Sequence, residues 1–225
     1  FRKIKFSLIT DNWITKYRAR TFASKEPEFL NWIDNELKNK DNFFDIGSNV
    51  GIYSIYAALR KKGANVHSFE PEYANLNLLK NNVIINSLNK KINLYSFAFG
   101  EKCEISNLYI QDFTPGSALH TVEKKNIPKT KTGKKILWKE GIFVITLDQF
   151  VKETKVIPSL IKIDVDGNEL NVLRGGKTTL KNKKLRSIFI EMDSKKDRNK
   201  IIKILKISGF KLSYKYKYNE IWKRK

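Results

Sequence analysis

The segment "FFDIGSNVG", Phe43 to Gly51, constrains this chain more than any other nine residues in it. An apolar run ends in an acid, and Gly47 and Gly51 then frame a small polar pair in a chain with only 11 glycines. Where a strand passes into a helix through glycines, an open α/β sheet can admit a ligand, because backbone N–H groups come close to it. Glycines so spaced also serve a tight turn. The surroundings have to separate the two readings.

Around this segment the apolar period alternates between that of helices and that of strands. "PEFLNWIDNEL" carries Phe29, Leu30, Ile33 and Leu37 at helical spacing, within an N-terminal helical lead-in of residues 1–41. "NFFDI" reads as a buried strand, and "GIYSIYAALRKKG" as a helix with Ile52, Ile55, Tyr56 and Leu59 on one face, ended by Gly63. "NVHSFEP" is a second strand stopped by Pro71, "EYANLNLLKNNVIIN" a second helix, and "INLYSFAFG" a third strand. After a break come "GIFVITLDQFV" (strand into helix), "SLIKIDVDG" (strand), "NELNVLRGG" (helix), "LRSIFIEM" (strand) and "RNKIIKILKISGF" (helix). "KLSYKYKY" and "EIWKRK" close the chain as a hairpin. This pattern predicts one α/β domain over residues 1–225, with a mostly parallel sheet, helices on both faces and a C-terminal antiparallel hairpin. From Gln111 to Gly141 turn formers and lysines replace periodicity, which predicts an exposed insertion, or a lid or binding loop.

A hydrophobic fraction of 41% with 4 Trp, 9 Tyr and 14 Phe is that of a globular chain. No apolar run approaches the roughly 18 residues of a membrane span. The opening "FRKIKFSLIT" has no secretory apolar core and no initiator Met, so the chain is expected to begin inside a longer product from which a targeting segment could have been lost. The single Cys103 excludes an internal disulfide framework and fits a reducing, cytoplasmic setting. A net charge of +21 invites an anionic partner such as nucleic acid, acidic glycan or anionic lipid. Yet the cations are 36 Lys against 8 Arg, with abundant Asn and Ile, and the Arg fork is what phosphate and base readers use. Compositional bias of the surface is the expected reading. "YKYKYNEIWKRK" carries the same choice: a stacking platform for single-stranded nucleic acid, or an edge strand with Tyr inward and Lys outward, which is expected.

Three constellations carry chemistry. The glycine segment is neither G-x-x-x-x-G-K-[ST] nor G-x-G-x-x-G, since Asn49 stands where the second fingerprint Gly would be. Asp45 at that turn would repel a pyrophosphate and attract an ammonium group; S-adenosylmethionine offers an ammonium and a sulfonium without a phosphate. Glu70 in "FEP" ends the second strand about 20 residues on, where a carboxylate accepts hydrogen bonds from ribose hydroxyls. Asp164, Asp166 and Glu169 cluster where a strand meets a helix. They could orient a hydroxyl, act as general base or bind a divalent cation, and one of them can be structural within the Asp166–Gly167 turn. Of the two histidines, His67 inside "NVHSF" is expected to be packed, whereas His120 at the edge of the insertion is a candidate base. Glu191 in "FIEM" is a third candidate base or an acceptor ligand.

The series "EPEFLNWI", "FFDIGSNVGIYS", "FEPEYANLNLLKNNV", "VITLDQF", "LIKIDVDGNELNVLRGG" and "IFIEM", from Glu26 to Glu191, resembles the FkbM family of S-adenosylmethionine-dependent methyltransferases. The resemblance implies the class I methyltransferase (Rossmann-like) fold and O-methylation of a hydroxyl on a saccharide or related small molecule. It implies that Asp45, Gly47, Ser48, Asn49 and Gly51 form the loop at the methionine end of the cofactor. Glu70, with Pro71 beside it, would hold the ribose, Ala98 would lie by the adenine, and Asp164 would sit near the methyl group. Ser48 stands where the family usually has Ala, and Asp166 where it usually has Glu. A nucleic-acid methyltransferase is the rival enzyme, but no N-P-P-Y or D-P-P-Y segment is present. A non-catalytic basic binding module on the same fold is the rival of another class.

Overall fold

Alternation along the strands decides the layers. The structure, a computed structural model, describes residues 4–123, 133, 135–192 and 195–225. Helices α1 (Trp13–Lys25) and α2 (Pro27–Glu36) lead into β1 (Asn42–Ile46), α3 (Ile52–Arg60), β2 (Asn65–Phe69), α4 (Tyr73–Ile85) and β3 (Ile92–Tyr95). Four strands of a second sheet follow: β4 (Ala98–Phe99), β5 (Glu104–Ile110), β6 (Thr121–Glu123) and β7 (Trp138–Ile145). Then come α5 (Leu147–Thr154), β8 (Leu160–Ile163), α6 (Glu169–Arg174), β9 (Ser187–Glu191), α7 (Lys195–Ile207), β10 (Phe210–Tyr216) and β11 (Asn219–Arg224).

The main sheet has the order β10-β11-β9-β8-β1-β2-β3. Strands β1, β2, β3, β8 and β9 run parallel, and β11 is antiparallel to both β9 and β10. Because successive side chains point to opposite faces, Phe43, Leu160, Phe189 and Ile221 pack under α2, α3 and α4. Their neighbours Phe44, Ile161, Ile188 and Trp222 pack under α5, α6 and α7. Sequence order reverses between β1 and β8, so the carboxyl ends of these two strands, at Ile46 and Ile163, flank the crevice where α/β sheets bind ligands. His67 lies buried on the α5 side, 5.2 Å from the Phe44 ring and stacked on Tyr95, as expected of a packed position.

Local signals fix the N-terminal helices. Asn12 and Thr15 exchange hydrogen bonds in a capping box at the start of α1. Pro27 has no N–H to continue α1 and opens α2 instead.

Three expectations need correction. "INLYSFAFG" is two strands in different sheets: β3 is a main-sheet edge, while Ala98 and Phe99 find backbone partners in Val144 and Ile145 of β7. The 111–141 stretch is not a strandless insertion, because β6 and the start of β7 lie in it; residues 124–132 and 134 fall outside the described residues. With β4 and β5 these strands form a second sheet, β4-β7-β5-β6, whose small apolar core includes Leu108, Ile110 and Val144. Finally, β10 is an edge strand, but Tyr214 and Tyr216 are about half exposed rather than turned inward.

Candidate active site

The glycine loop is held by its own backbone. Gly47 and Ser48 donate to the Phe69 carbonyl at 3.0 and 3.1 Å, Gly51 donates to Ser48 O, and Asn49 N donates to Glu70 Oε2 at 2.8 Å. Both glycines sit at positive φ, +80° and +82°. A Cβ on Gly47 would stand 1.8 Å from the Asp164 carbonyl oxygen, and one on Gly51 would stand 2.8 Å from Leu79 Cγ on α4. The loop amides are therefore spent internally, and the glycines allow β1 to approach β8 and α3 to approach α4. Beside the loop the close approach leaves a cavity, which Gly47 and Asn49 line.

That cavity, about 310 Å³, opens at the carboxyl ends of β1, β2 and β8. Its wall carries Glu26, Glu70, Glu72, Asp164, Asp166 and Glu191, against the cations Arg18 and Lys25. In a chain of net charge +21 this concentration of carboxyl groups is local and built. Gly47, Asn49, Pro71, Ala98 and His120 also line it.

Beneath it lies a group that the sequence reading passed over. Lys162, in the apolar run "LIKI", is 1% exposed. Its Nζ stands 3.2 Å from Asp164 Oδ2 and 3.4 Å from Asp45 Oδ1, and it donates to Gly47 O at 3.2 Å. Burial alone would strip its proton; the charges of Asp164, Asp45 and Glu26 reverse that and hold its pKa above the usual lysine value. The signal was available, because a lysine in a fully buried strand has to find carboxylates.

Asp45 is accordingly not part of the cavity wall. It is wholly buried, accepts from Ser54 Oγ at 2.5 Å and faces Lys162. Ser48 Oγ donates to Asp45 O, and Gly51 caps α3; neither lines the cavity.

Asp164 does line it, with a side chain 31% exposed. Burial pushes its carboxyl up, but Lys162 and a hydrogen bond from Glu191 outweigh burial and hold it below the usual carboxylate range. Glu191 moves the other way: burial, the Asp164 charge and the shared hydrogen bond raise it to about 9. At neutral pH the pair holds one proton, and Glu191 donates it to Asp164. Glu70, buried and accepting from Asn49 N and Glu72 N, is raised by burial to about 7.

Asp166 and Glu169 do not converge with Asp164 on one point. Asp166 Oδ2 accepts from Leu119 N at 2.6 Å, and Glu169 Oε1 accepts from Gly167 N within its own turn. Among the described residues no group of three or more His, Cys, Asp and Glu side chains could hold a metal ion. Asp166 serves a strap formed by residues 115–119, which covers the site. Asn12 donates to Pro115 O, Arg18 Nε to Gly116 O at 2.7 Å and Asn49 to Ser117 O at 2.7 Å. Asn75 bonds both Gly116 N and Ser117 O. The edge of the expected insertion is thus a pinned cover.

His120 follows the strap. Ser117 Oγ donates to Asp112 O, so it accepts from His120 Nε2 at 3.0 Å. Nδ1 then carries a lone pair that is buried and has no partner among the described residues, so it meets an acceptor hydroxyl only if the ring or the strap shifts. Burial lowers the pKa of His120, leaving the ring neutral at physiological pH.

In fold the chain is similar to a precorrin-6y C5,15-methyltransferase from Geobacter metallireducens GS-15, at 12% identity, 97% coverage of this chain and 92% of the other, and TM-score 0.50. It is also similar to a ribosomal protein L11 methylase from Lactobacillus delbrueckii subsp. bulgaricus (12% identity, 89% and 79% coverage, TM-score 0.51). A precorrin 8w decarboxylase from Methanobacterium thermoautotrophicum resembles it as well (12% identity, 88% of each chain, TM-score 0.50). Those identities speak for the fold alone. No curated protein matches the sequence significantly. The methyltransferase FkbM domain model matches residues 45–218 of the 225, from the glycine loop into the terminal hairpin. The chain belongs to the FkbM family of S-adenosylmethionine-dependent methyltransferases.

Proposed function

We propose that this methyltransferase methylates a hydroxyl of a saccharide or related small polar molecule, with His120 taking the hydroxyl proton and Asp164 orienting the hydroxyl. The observation that carries the reading is that a neutral imidazole and a carboxylate held ionised by Lys162 line one cavity. A carboxylate pinned below its usual pKa accepts hydrogen bonds well but is a weak base; a neutral His is matched to removing a proton near pH 7. Glu191, protonated, donates to Asp164 and helps hold it ionised.

The residues fit the cofactor. Six carboxyl groups favour a molecule that carries an ammonium and a sulfonium. Glu70, with Pro71 and Ala98 in the same wall, is the group to hold a ribose, since a carboxylate keeps acceptor capacity beyond its two backbone partners. Bound there, S-adenosylmethionine supplies an activated methyl group.

The test is turnover on a panel of mono- and oligosaccharides, with RNA as control, measured as S-adenosylhomocysteine release. His120→Ala is expected to lower kcat by two to four orders of magnitude, about the worth of one general base, while S-adenosylhomocysteine affinity is kept. Turnover on RNA alone, or cofactor binding without turnover on any acceptor, would overturn the proposal.

A further inference from the structure

Beside the cavity runs a groove of about 260 Å³ between α1 and residues 111–119. The two share Arg18, Lys25 and the strap wall at residues 117–119. We propose that this groove is the acceptor subsite and that it takes a saccharide carrying an anionic group. The inference rests on the methyl-transfer reading above and adds to it a location and a charge.

The first observation concerns aromatic rings. Trp13 and Tyr17 line the groove, four residues apart and so on one face of α1. They are 71% and 53% exposed, whereas Phe22 on the same helix is buried against the core. Large rings left in water beside a groove mark a binding surface. Flat aromatic side chains next to polar groups suit a sugar ring, which has an apolar face and a hydroxylated rim.

The second observation concerns charge. Arg18 is fixed by its Nε–H bond to Gly116 O, and its other guanidinium nitrogens have no acceptor among the described residues. A planar fork held still at the junction of groove and cavity is suited to a carboxylate or phosphate. Lys25 adds a second positive group, although it pairs with Glu26 at 3.4 Å. The opposing carboxylate in the groove, Asp112, accepts from Thr114 N at 2.9 Å. Polarity then orients the acceptor. Its hydroxyl enters toward Asp164 and His120, and its anion stays at Arg18.

A uronate and a sugar phosphate present the same chemistry to Arg18, so both serve as probes. Saturation-transfer NMR on the full chain would compare glucuronate, glucose 6-phosphate and neutral glucose, with S-adenosylhomocysteine calorimetry on every variant. At least one acidic sugar is expected to bind tenfold or more tightly than glucose, and the one that binds identifies the anion. Arg18→Met should remove that preference, and the double variant W13A/Y17A should abolish binding of every sugar. S-adenosylhomocysteine affinity should change less than twofold in W13A/Y17A, whose rings lie outside the cavity wall.

Equal binding of glucose and the acidic sugars, or sugar binding that survives W13A/Y17A, overturns the inference. So does tenfold weaker S-adenosylhomocysteine binding by R18M, which would give Arg18 to the cofactor. An oligouridylate that displaces the acidic sugar and binds more tightly would give the groove to RNA. Sugars that never bind while S-adenosylhomocysteine does would sink the subsite alone; wild type that binds no S-adenosylhomocysteine would sink the methyl-transfer reading with it.

Discussion

At the scale of single residues, Lys162 holds the site together. Replacing one member of a buried charge cluster leaves its partners uncompensated, at a cost of about 3–5 kcal/mol. Lys162→Met keeps the volume and removes the charge, so Asp45 and Asp164 would face each other unshielded. We expect a urea midpoint lowered accordingly; an unchanged midpoint would mean that the carboxylates take up protons at little cost. Glu191 gives a pH dependence with a definite sign. Its carboxyl titrates at about 4.5 in the unfolded chain and about 9 in the folded one, so between those values the folded state binds more protons. Its contribution is fully present below about 4.5 and is lost as pH rises toward 9. Glu191→Gln cannot ionise, and its stability should fall less over that range when melts are compared at pH 5 and pH 9.

At the scale of elements, the strap of residues 115–119 depends on side chains from four places: α1 with its N-cap, the glycine loop, α4 and the turn after β8. Asn75 supplies two of its bonds, one in each direction. Asn75→Ala would lose both, leaving the Gly116 N–H unanswered and Ser117 O with only its bond from Asn49, a loss of about 1–3 kcal/mol. The more specific readout is hydrogen exchange, which should quicken at residues 116–119 and stay unchanged in β1 and β8. Uniform quickening across the sheet would show that Asn75 supports the fold rather than the strap. Asn49, Asp166 and Asn75 all answer to this cover. "NLNLLKNN" looks like any polar helix face until the strap is in place.

At the scale of the whole molecule, 44 cations against 23 anions make the folded state repel itself. Exposed charges are screened within about 10 Å at 0.1 M salt, while the buried Lys162 cluster is not. Melting temperature should therefore rise as sodium chloride increases from low levels to about 0.3 M, beyond which the Debye length changes little. A falling melting temperature would mean that surface ion pairs such as Arg174–Glu101 outweigh the repulsion. The acidic cavity belongs to this scale too. Its carboxyl groups come from the α1–α2 junction, the ends of β2, β8 and β9, and the turns beyond them, and only the sheet order collects them.

Period and punctuation were enough to read the layers. β1, β2, β8 and β9 with the helices after them are local matters of burial and turn chemistry, and "NFFDI" names β1 to the residue. The motif set likewise carried the family and part of the cavity wall, because Glu70, Asp164 and His120 stand beside turns that local sequence announces. What the sequence left open was decided by contacts between distant segments. Residues 98–99 leave the main sheet because β7 offers their backbone partners, and no local pattern encodes that pairing. Asp45 turns inward because Lys162, 117 residues away, needs a counter-charge more than a cofactor needs a ligand. Gly47 is required by a carbonyl on a strand more than 100 residues later, so its reason is steric and tertiary. Side-chain type and spacing determined which surfaces each element could bury; the packing of β1 against β8 decided which of its polar groups would meet a ligand and which would meet each other.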